Sequence, residues 1–340
     1  MQRLWALAIL VVSCGQAPDG ALPDAGASPN DAAAPPVRPD AGTDGKLTPD
    51  LLATDTGTDL GTPAPVGSDA APAGCPQPTL DLTGLADYPR DVIAKLTGAT
   101  EIEPGVKLAN RGTPANREIA RRYLQASLRA FGLQPAEHAY ATGANVYATL
   151  PGTTSEQVVL GAHFDTVVRS PGANDNATGV AVVLGAGRAL LQLGCRTRAV
   201  VLVLLDEEES GLVGAKAFAR KLMADGTAVH SVHTADQLGW DSNGDRLVEL
   251  ERPDPGLRPV YEAAQRALGL TFPLVTTSTG GSDHVAFRPA FRAVGITEGY
   301  ASGDTTPQRH TPGDTAATVD LAYLGQATAL VARAVAELLR

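Results

Sequence analysis

The chain has 340 residues and carries 37 acidic against 27 basic side chains, a formal net charge of −10. No cluster of Lys and Arg interrupts it, which argues against nucleic acid or an anionic lipid surface as its partner. The charge is uneven: residues 15–75 hold nine Asp against Arg38 and Lys46, and residues 76–340 are only mildly acidic.

Residues 1–14, MQRLWALAILVVSC, place Arg3 before an apolar run from Leu4 to Val12. The run is shorter than the roughly 20 residues that a spanning helix needs, and it reads as a secretory signal peptide. Val-Val-Ser-Cys resembles a bacterial lipobox, which predicts an acylated Cys14 at the mature N-terminus; an ordinary secretory signal is the alternative. The protein is therefore expected outside the cytoplasm, lipid-anchored to a bacterial membrane through Cys14 or secreted. Residues 15–75 contain no Phe, Trp, Tyr or Ile and are rich in Ala, Pro, Gly, Asp and Thr. Such a segment buries too little apolar surface to offset its ordering entropy, so it reads as a disordered tether. Residues 76–340 suit one large α/β domain. With Cys14 set aside, Cys75 and Cys195 remain as an even pair in a disulfide-permissive compartment. One bridge between them is expected, with two free thiols as the alternative, because sequence does not place their Cα atoms.

Within the domain, Thr113 as N-cap, Pro114 at the first helical position and an apolar stripe of Ile119, Tyr123, Leu124, Leu128 and Phe131 predict a helix that Gly132 ends. A half-polar strand follows at 145–150. Residues 158–162 and 199–205 are short, wholly apolar runs, as expected of strands covered on both faces. Helices are expected at 179–193, 211–224, 256–268 and 319–339, and further strands near 232–236, 247–250 and 293–297. This alternation predicts a three-layer α/β/α sandwich around a mostly parallel sheet. Ligands of such sheets bind at the carboxyl ends of the strands.

Polar motifs stand at those ends. Ala162-His163-Phe164-Asp165-Thr166 follows an apolar strand, and an imidazole that ligates metal needs a partner such as Asp165 for its other nitrogen. Gly172-Ala173-Asn174-Asp175-Asn176-Ala177-Thr178-Gly179 precedes an apolar helix, where Asp175 is placed either to bridge two cations or simply to turn and cap the chain. Asp206-Glu207-Glu208-Glu209 follows the second apolar run, and four adjacent carboxylates repel unless cations or solvent compensate them. One of them would bind metal while its neighbour acts as general base. Asp236 in DQLG and His310 in HTPGDT are ordinary strand ends or loops taken singly; their weight comes from joining the other three. His284 in GGSDH competes with His310.

These motifs, in this order across residues 110–320, resemble the bacterial leucyl aminopeptidase type of zinc metallopeptidase, family twenty-eight of the peptidase classification. The resemblance implies a zinc-exopeptidase architecture holding two Zn2+ per chain. One zinc would have His163, Asp236 and Asp175, and the other His310, Glu209 and a shared Asp175. By the same resemblance EESGLVG makes Glu208 the general base and Glu209 the ligand, with Asp206 and Glu207 as bystanders or supports. The histidine of SDHVAF is usually not a ligand in that family, which puts His310 ahead of His284 and leaves His284 as a substrate contact. Two details stand apart. Arg309 precedes His310 where some relatives place an oxyanion-stabilising tyrosine nearby, so Tyr300 is the nearest candidate for that role. The family aspartate is often followed by a cis peptide, expected here at Asp175-Asn176. The implied function is a monomeric aminopeptidase acting on peptides. The alternatives are a glutaminyl-peptide cyclotransferase using one zinc and a non-catalytic binding protein on the same fold.

Overall fold

The computed structural model describes residues 75, 76, 79–85 and 87–340; Cys14, the expected signal peptide and the tether up to residue 74 lie outside the described residues. The wholly apolar runs form the centre of an eight-stranded sheet: β1 (Ala136–Ala139), β2 (Ala144–Leu150), β3 (Gln157–His163), β4 (Ala199–Leu205), β5 (Val229–Ala235), β6 (Val248–Glu251), β7 (Leu274–Thr277) and β8 (Ala293–Thr297). Their spatial order is β1-β2-β4-β3-β5-β8-β6-β7. The four strands β4, β3, β5 and β8 run parallel, whereas β1–β2, β2–β4 and β6–β8 pair antiparallel. The mostly parallel sheet is thus mixed at both edges.

Alternate residues of the central strands serve opposite faces. Val158, Leu160 and Ala162 with Val200, Leu202 and Leu204 join one apolar core, while Val159, Val201, Val203 and Leu205 join the other. This period-two split is how an unbroken apolar run becomes a strand buried on both sides. The larger core packs α1 (Asp87–Leu96), α2 (Pro114–Ala130), α3 (Thr178–Leu191), α5 (Leu257–Ala267) and α7 (Leu321–Glu337). Against the other face lie α4 (Val213–Ala224) and the single turn α6 (His284–Phe287). No helix among the described residues is long and apolar enough to cross a membrane.

Local chemistry accounts for most boundaries. Thr113 caps α2 by accepting the Asn116 N–H at 3.3 Å, and Pro114 occupies its first position. Helix α4 starts at Val213, two residues later than its periodicity predicts, because the chain from Asp206 to Leu212 is spent on the turn that carries the acidic motif. Helix α1, strands β1 and β7 and the turn α6 are elements that the sequence pattern did not announce. Strand β1 (AEHA) has one half-buried residue among exposed ones, and α1 contains Pro89, which a first turn tolerates because its N–H would be unpaired there.

Cys75 and Cys195 are disulfide-bonded with Cα atoms 5.5 Å apart, tying the beginning of the described chain to the connection between α3 and β4. The bridge closes a loop across a sequence separation of 120 residues. Replacing both cysteines with serine is expected to lower unfolding stability by about 2–4 kcal/mol, read as a fall in the denaturation midpoint. Equal midpoints for the two proteins would show that the bond adds nothing.

Candidate metal centre

The parallel strands deliver their carboxyl ends to one place. His163 is the last residue of β3, Asp236 follows β5, and Glu208 and Glu209 lie in the turn after β4. Asp175 sits in a buried turn, residues 173–177, between β3 and α3, and His310 lies in the segment after β8. His163, Asp175 and Asp236 offer ligand atoms within 4.8 Å of one another, and so do Asp175, Glu209 and His310. Asp175 belongs to both groups. Its Oδ1 is 3.4 Å from His163 Nε2 and its Oδ2 is 3.1 Å from His310 Nε2. The remaining spokes are His163 Nε2 to Asp236 Oδ1 at 3.4 Å and His310 Nε2 to Glu209 Oε2 at 3.0 Å.

Whether these residues fit cations is answered by their unpaired atoms. His163 Nε2, Asp236 Oδ1, Glu209 Oε1 and His310 Nε2 are all buried, and none has a hydrogen-bond partner outside the cluster. Buried polar atoms in folded proteins are almost always hydrogen-bonded, so four orphans converging on one carboxylate call for another kind of partner. Two imidazoles and three carboxylates, three donors per position with Asp175 shared, are a suitable set for two divalent cations. The electrostatics agree. Burial pushes the Glu208 carboxyl up to about 9, with Asp283 and Asp236 adding to it, and pushes Glu209 to about 7, with Asp175 adding. Burial disfavours a charged His163, yet Glu208 and Asp236 hold it well above its ordinary value. Asp175 is the exception: against the cost of burial, His310, His163 and Arg309 draw it down to about 2.

A frame of buried polar groups holds the ligands. The Asp165 carboxylate lies 3.4 Å from His163 Nδ1 and accepts the backbone N–H groups of Glu208 and Glu209 at 2.9 and 3.2 Å. One side chain therefore orients the imidazole and fixes the acidic turn. Asp314 does the same for the Asp175 turn, accepting the N–H groups of Asn174 and Asp175 at 2.7 and 3.1 Å. Arg111, fully buried, donates to the carbonyls of Phe164, Leu96, Pro171 and Gly172 and so clamps the chain on either side of Ser170. Gly172 is in the left-handed region at φ 66°, and a Cβ there would meet Thr166 at 2.2 Å. The Asp175-Asn176 peptide is cis, as the family resemblance led us to expect. Glu207, Gln237 and His310 adopt φ of 60°, 50° and 59°. Non-glycine residues enter that region at a cost, and these three each flank or form part of the cluster.

The acidic run divides. Asp206 and Glu207 turn to α2, where Arg117 reaches both at 2.9 and 2.8 Å and Arg121 reaches Asp206 at 3.1 Å, while Glu208 and Glu209 face the cluster. Asp206 and Glu207 are thus the anchor of the turn. His284 belongs to neither ligand group. Its Nδ1 lies 3.7 Å from Glu251. Its neighbour Asp283 is fully buried with both carboxylate oxygens unpaired, and its charge bears on Glu208. Tyr300 and Arg309 stand together at the mouth. The Arg309 guanidinium lies over the Tyr300 ring at 5.8 Å, its Nη1 donates to the Tyr300 hydroxyl at 3.4 Å, and its Nε donates to Asp175 Oδ2 at 3.1 Å. Asp314 and Asp283 sit within the HTPGDT and SDH motifs, so adjacency could have flagged them. Arg111 is a lone arginine in an irregular segment, and nothing in the sequence marks it.

The profile of peptidase family M28 matches residues 145–335. Among proteins of known name, a probable leucine aminopeptidase of Arthroderma otae is 29% identical over 198 residues, covering 53% of this chain and 53% of that protein. The chain thus spans about half the length of such relatives. Among solved structures, the LapA aminopeptidase of Legionella pneumophila superposes with a TM-score of 0.68 at 19% identity, covering 76% of this chain and 73% of that one. BSAP, a zinc aminopeptidase from Bacillus subtilis, gives 0.66 at 16% identity, covering 76% and 97%. At these identities the two structures speak to the fold. The family profile takes in more than half of the sequence, from before His163 to beyond His310, and the chain belongs to peptidase family M28.

Proposed function

We propose that the protein is a zinc-dependent exopeptidase that removes residues from the amino end of peptides, with two zinc ions held by His163, Asp175 and Asp236 and by Asp175, Glu209 and His310. The observation that carries this reading is the pair of three-donor groups joined through one carboxylate, with buried ligand atoms that have no other partner. Bound zinc would supply Lewis-acid polarisation of the scissile carbonyl and acidify the attacking water. The chain supplies the rest. Glu208, whose Oε2 is 4.0 Å from His163 Nε2, takes a proton from the water and returns it to the departing amine. Asp165 holds Glu208 through its backbone N–H, so the base is set by the same residue that orients His163. Tyr300 and Arg309, at the mouth, are the groups placed to meet the developing oxyanion. A one-zinc cyclotransferase would fill one of the two three-donor groups and leave the other without a purpose, and a binding protein leaves Glu208 without one. The disulfide is consistent with work outside a reducing cytoplasm, in keeping with a lipid-anchored or secreted protein.

Two outcomes are expected. Zinc-loaded protein should hydrolyse an aminoacyl p-nitroanilide, lose that activity to a chelator and regain it with zinc. Glu208→Gln should lower kcat by about 10²–10⁴-fold with zinc content unchanged. Full turnover by Glu208→Gln would remove this residue from the proton-transfer role.

A further outcome concerns pH. In the metal-free protein Glu208 and Glu209 titrate near 9 and 7 against an ordinary 4.5, so the folded state binds more protons than the unfolded chain between those values. His163 and His310, both raised, act in the same sense. Stability then falls as pH rises, from about pH 5 to 9. The melting temperature of metal-free protein should drop across that range, and zinc should flatten the curve. A metal-free melting temperature that rises with pH would contradict the reading.

A further inference from the structure

A cavity of about 130 Å³ opens beside the cluster, with Asp236 and Arg309 among its lining residues. Asp236 belongs to one of the two ligand groups, so the cavity adjoins the candidate metal positions. A pocket that selects leucine presents apolar walls. Here the walls are Gln237, Thr279, Ser282 and Thr297 with the backbone of Gly280 and Gly281, and the Tyr300 ring is the one sizeable carbon surface among the lining residues.

Glu251, the last residue of β6, also lines this cavity and is 5% exposed. The charges that bear on it are the carboxylates of Asp236 and Glu249, and burial, with those two adding, pushes it up to about 7 while Thr279 donates a hydrogen bond to it. The imidazole 3.7 Å away, that of His284, is no counter-ion, because burial and then Arg288 and Arg252 depress it to about 4. The cation lining the cavity, Arg309, is committed to Asp175 through its Nε. Glu251 is therefore a buried carboxylate facing a cavity with its charge unmatched, an arrangement that a cationic ligand group would complete.

We infer that this cavity receives the side chain of the substrate's amino-terminal residue and that Glu251 makes it selective for lysine and arginine over leucine. The inference rests on the aminopeptidase reading and adds the substrate class to it. A long methylene stem would lie along the Tyr300 ring while its ammonium or guanidinium reaches Glu251.

The test compares lysyl, arginyl, leucyl and glutamyl p-nitroanilides on zinc-loaded wild type and Glu251→Gln, with zinc content and melting temperature checked for both. In wild type, kcat/KM for the lysyl and arginyl substrates should exceed that for the leucyl substrate by about 10- to 100-fold, the scale of a hydrogen-bonded charge pair. Glu251→Gln should cut that ratio by a similar factor. Calorimetry on zinc-loaded wild type should show free L-lysine binding more tightly than L-leucine. Efficient leucyl hydrolysis with no preference for the cationic substrates, or a ratio that Glu251→Gln leaves unmoved, overturns the inference and spares the aminopeptidase reading. Failure to cleave any of the four overturns both.

Discussion

The structure is organised around the confinement of negative charge. Asp175, Glu208, Glu209, Asp236 and Asp283 approach one another at the carboxyl ends of parallel strands, under a shell that excludes most water. Two carboxylates about 4 Å apart repel by roughly 4 kcal/mol at the effective dielectric of a protein edge, and Asp175 offers a ligand oxygen within 4.8 Å of both Asp236 and Glu209. His163, His310 and Arg309 offset part of that repulsion. Divalent cations would offset the rest. The backbone of each ligand loop is tied down by side chains that do not touch the metal positions: Asp165 for the acidic turn, Asp314 for the Asp175 turn and Arg111 for the chain between them.

That division between holding and reacting recurs on a smaller scale within one stretch of sequence. Asp206 and Glu207 are fastened to Arg117 and Arg121 of α2, and the left-handed backbone at Glu207 redirects the chain so that Glu208 and Glu209 face the cluster. Four consecutive acidic residues thereby do two jobs. The buried ion pairs gain little stability of their own once desolvation is counted, but they fix the direction in which the next two carboxylates point.

Much of this was legible because the relevant signals are local. An apolar run ending in His163 or leading into Asp206 announces both a buried strand and a polar residue at its carboxyl end, and the topology of a parallel sheet then brings such ends together. The choice of His310 over His284 was not local. Both follow short polar motifs, and only the family resemblance ranked them; the structure places His284 behind the cluster, against Glu251, and His310 on Asp175 and Glu209. Strands β1 and β7 escaped because a four-residue edge strand has too few positions to show alternation. Arg111 escaped because its role consists of contacts to carbonyls that are distant in sequence, from Leu96 to Gly172, and no motif records those. Glu251 ends a strand whose last residues are all buried, so its facing a cavity becomes visible only when β6 is seen paired with β8.

The central claim is that Asp175 joins two cation positions. Anomalous diffraction from zinc-soaked crystals, recorded on both sides of the zinc absorption edge, tests it most directly. The account predicts two peaks that share Asp175, one completed by His163 and Asp236 and the other by Glu209 and His310. A single peak, or peaks away from Asp175, would contradict it.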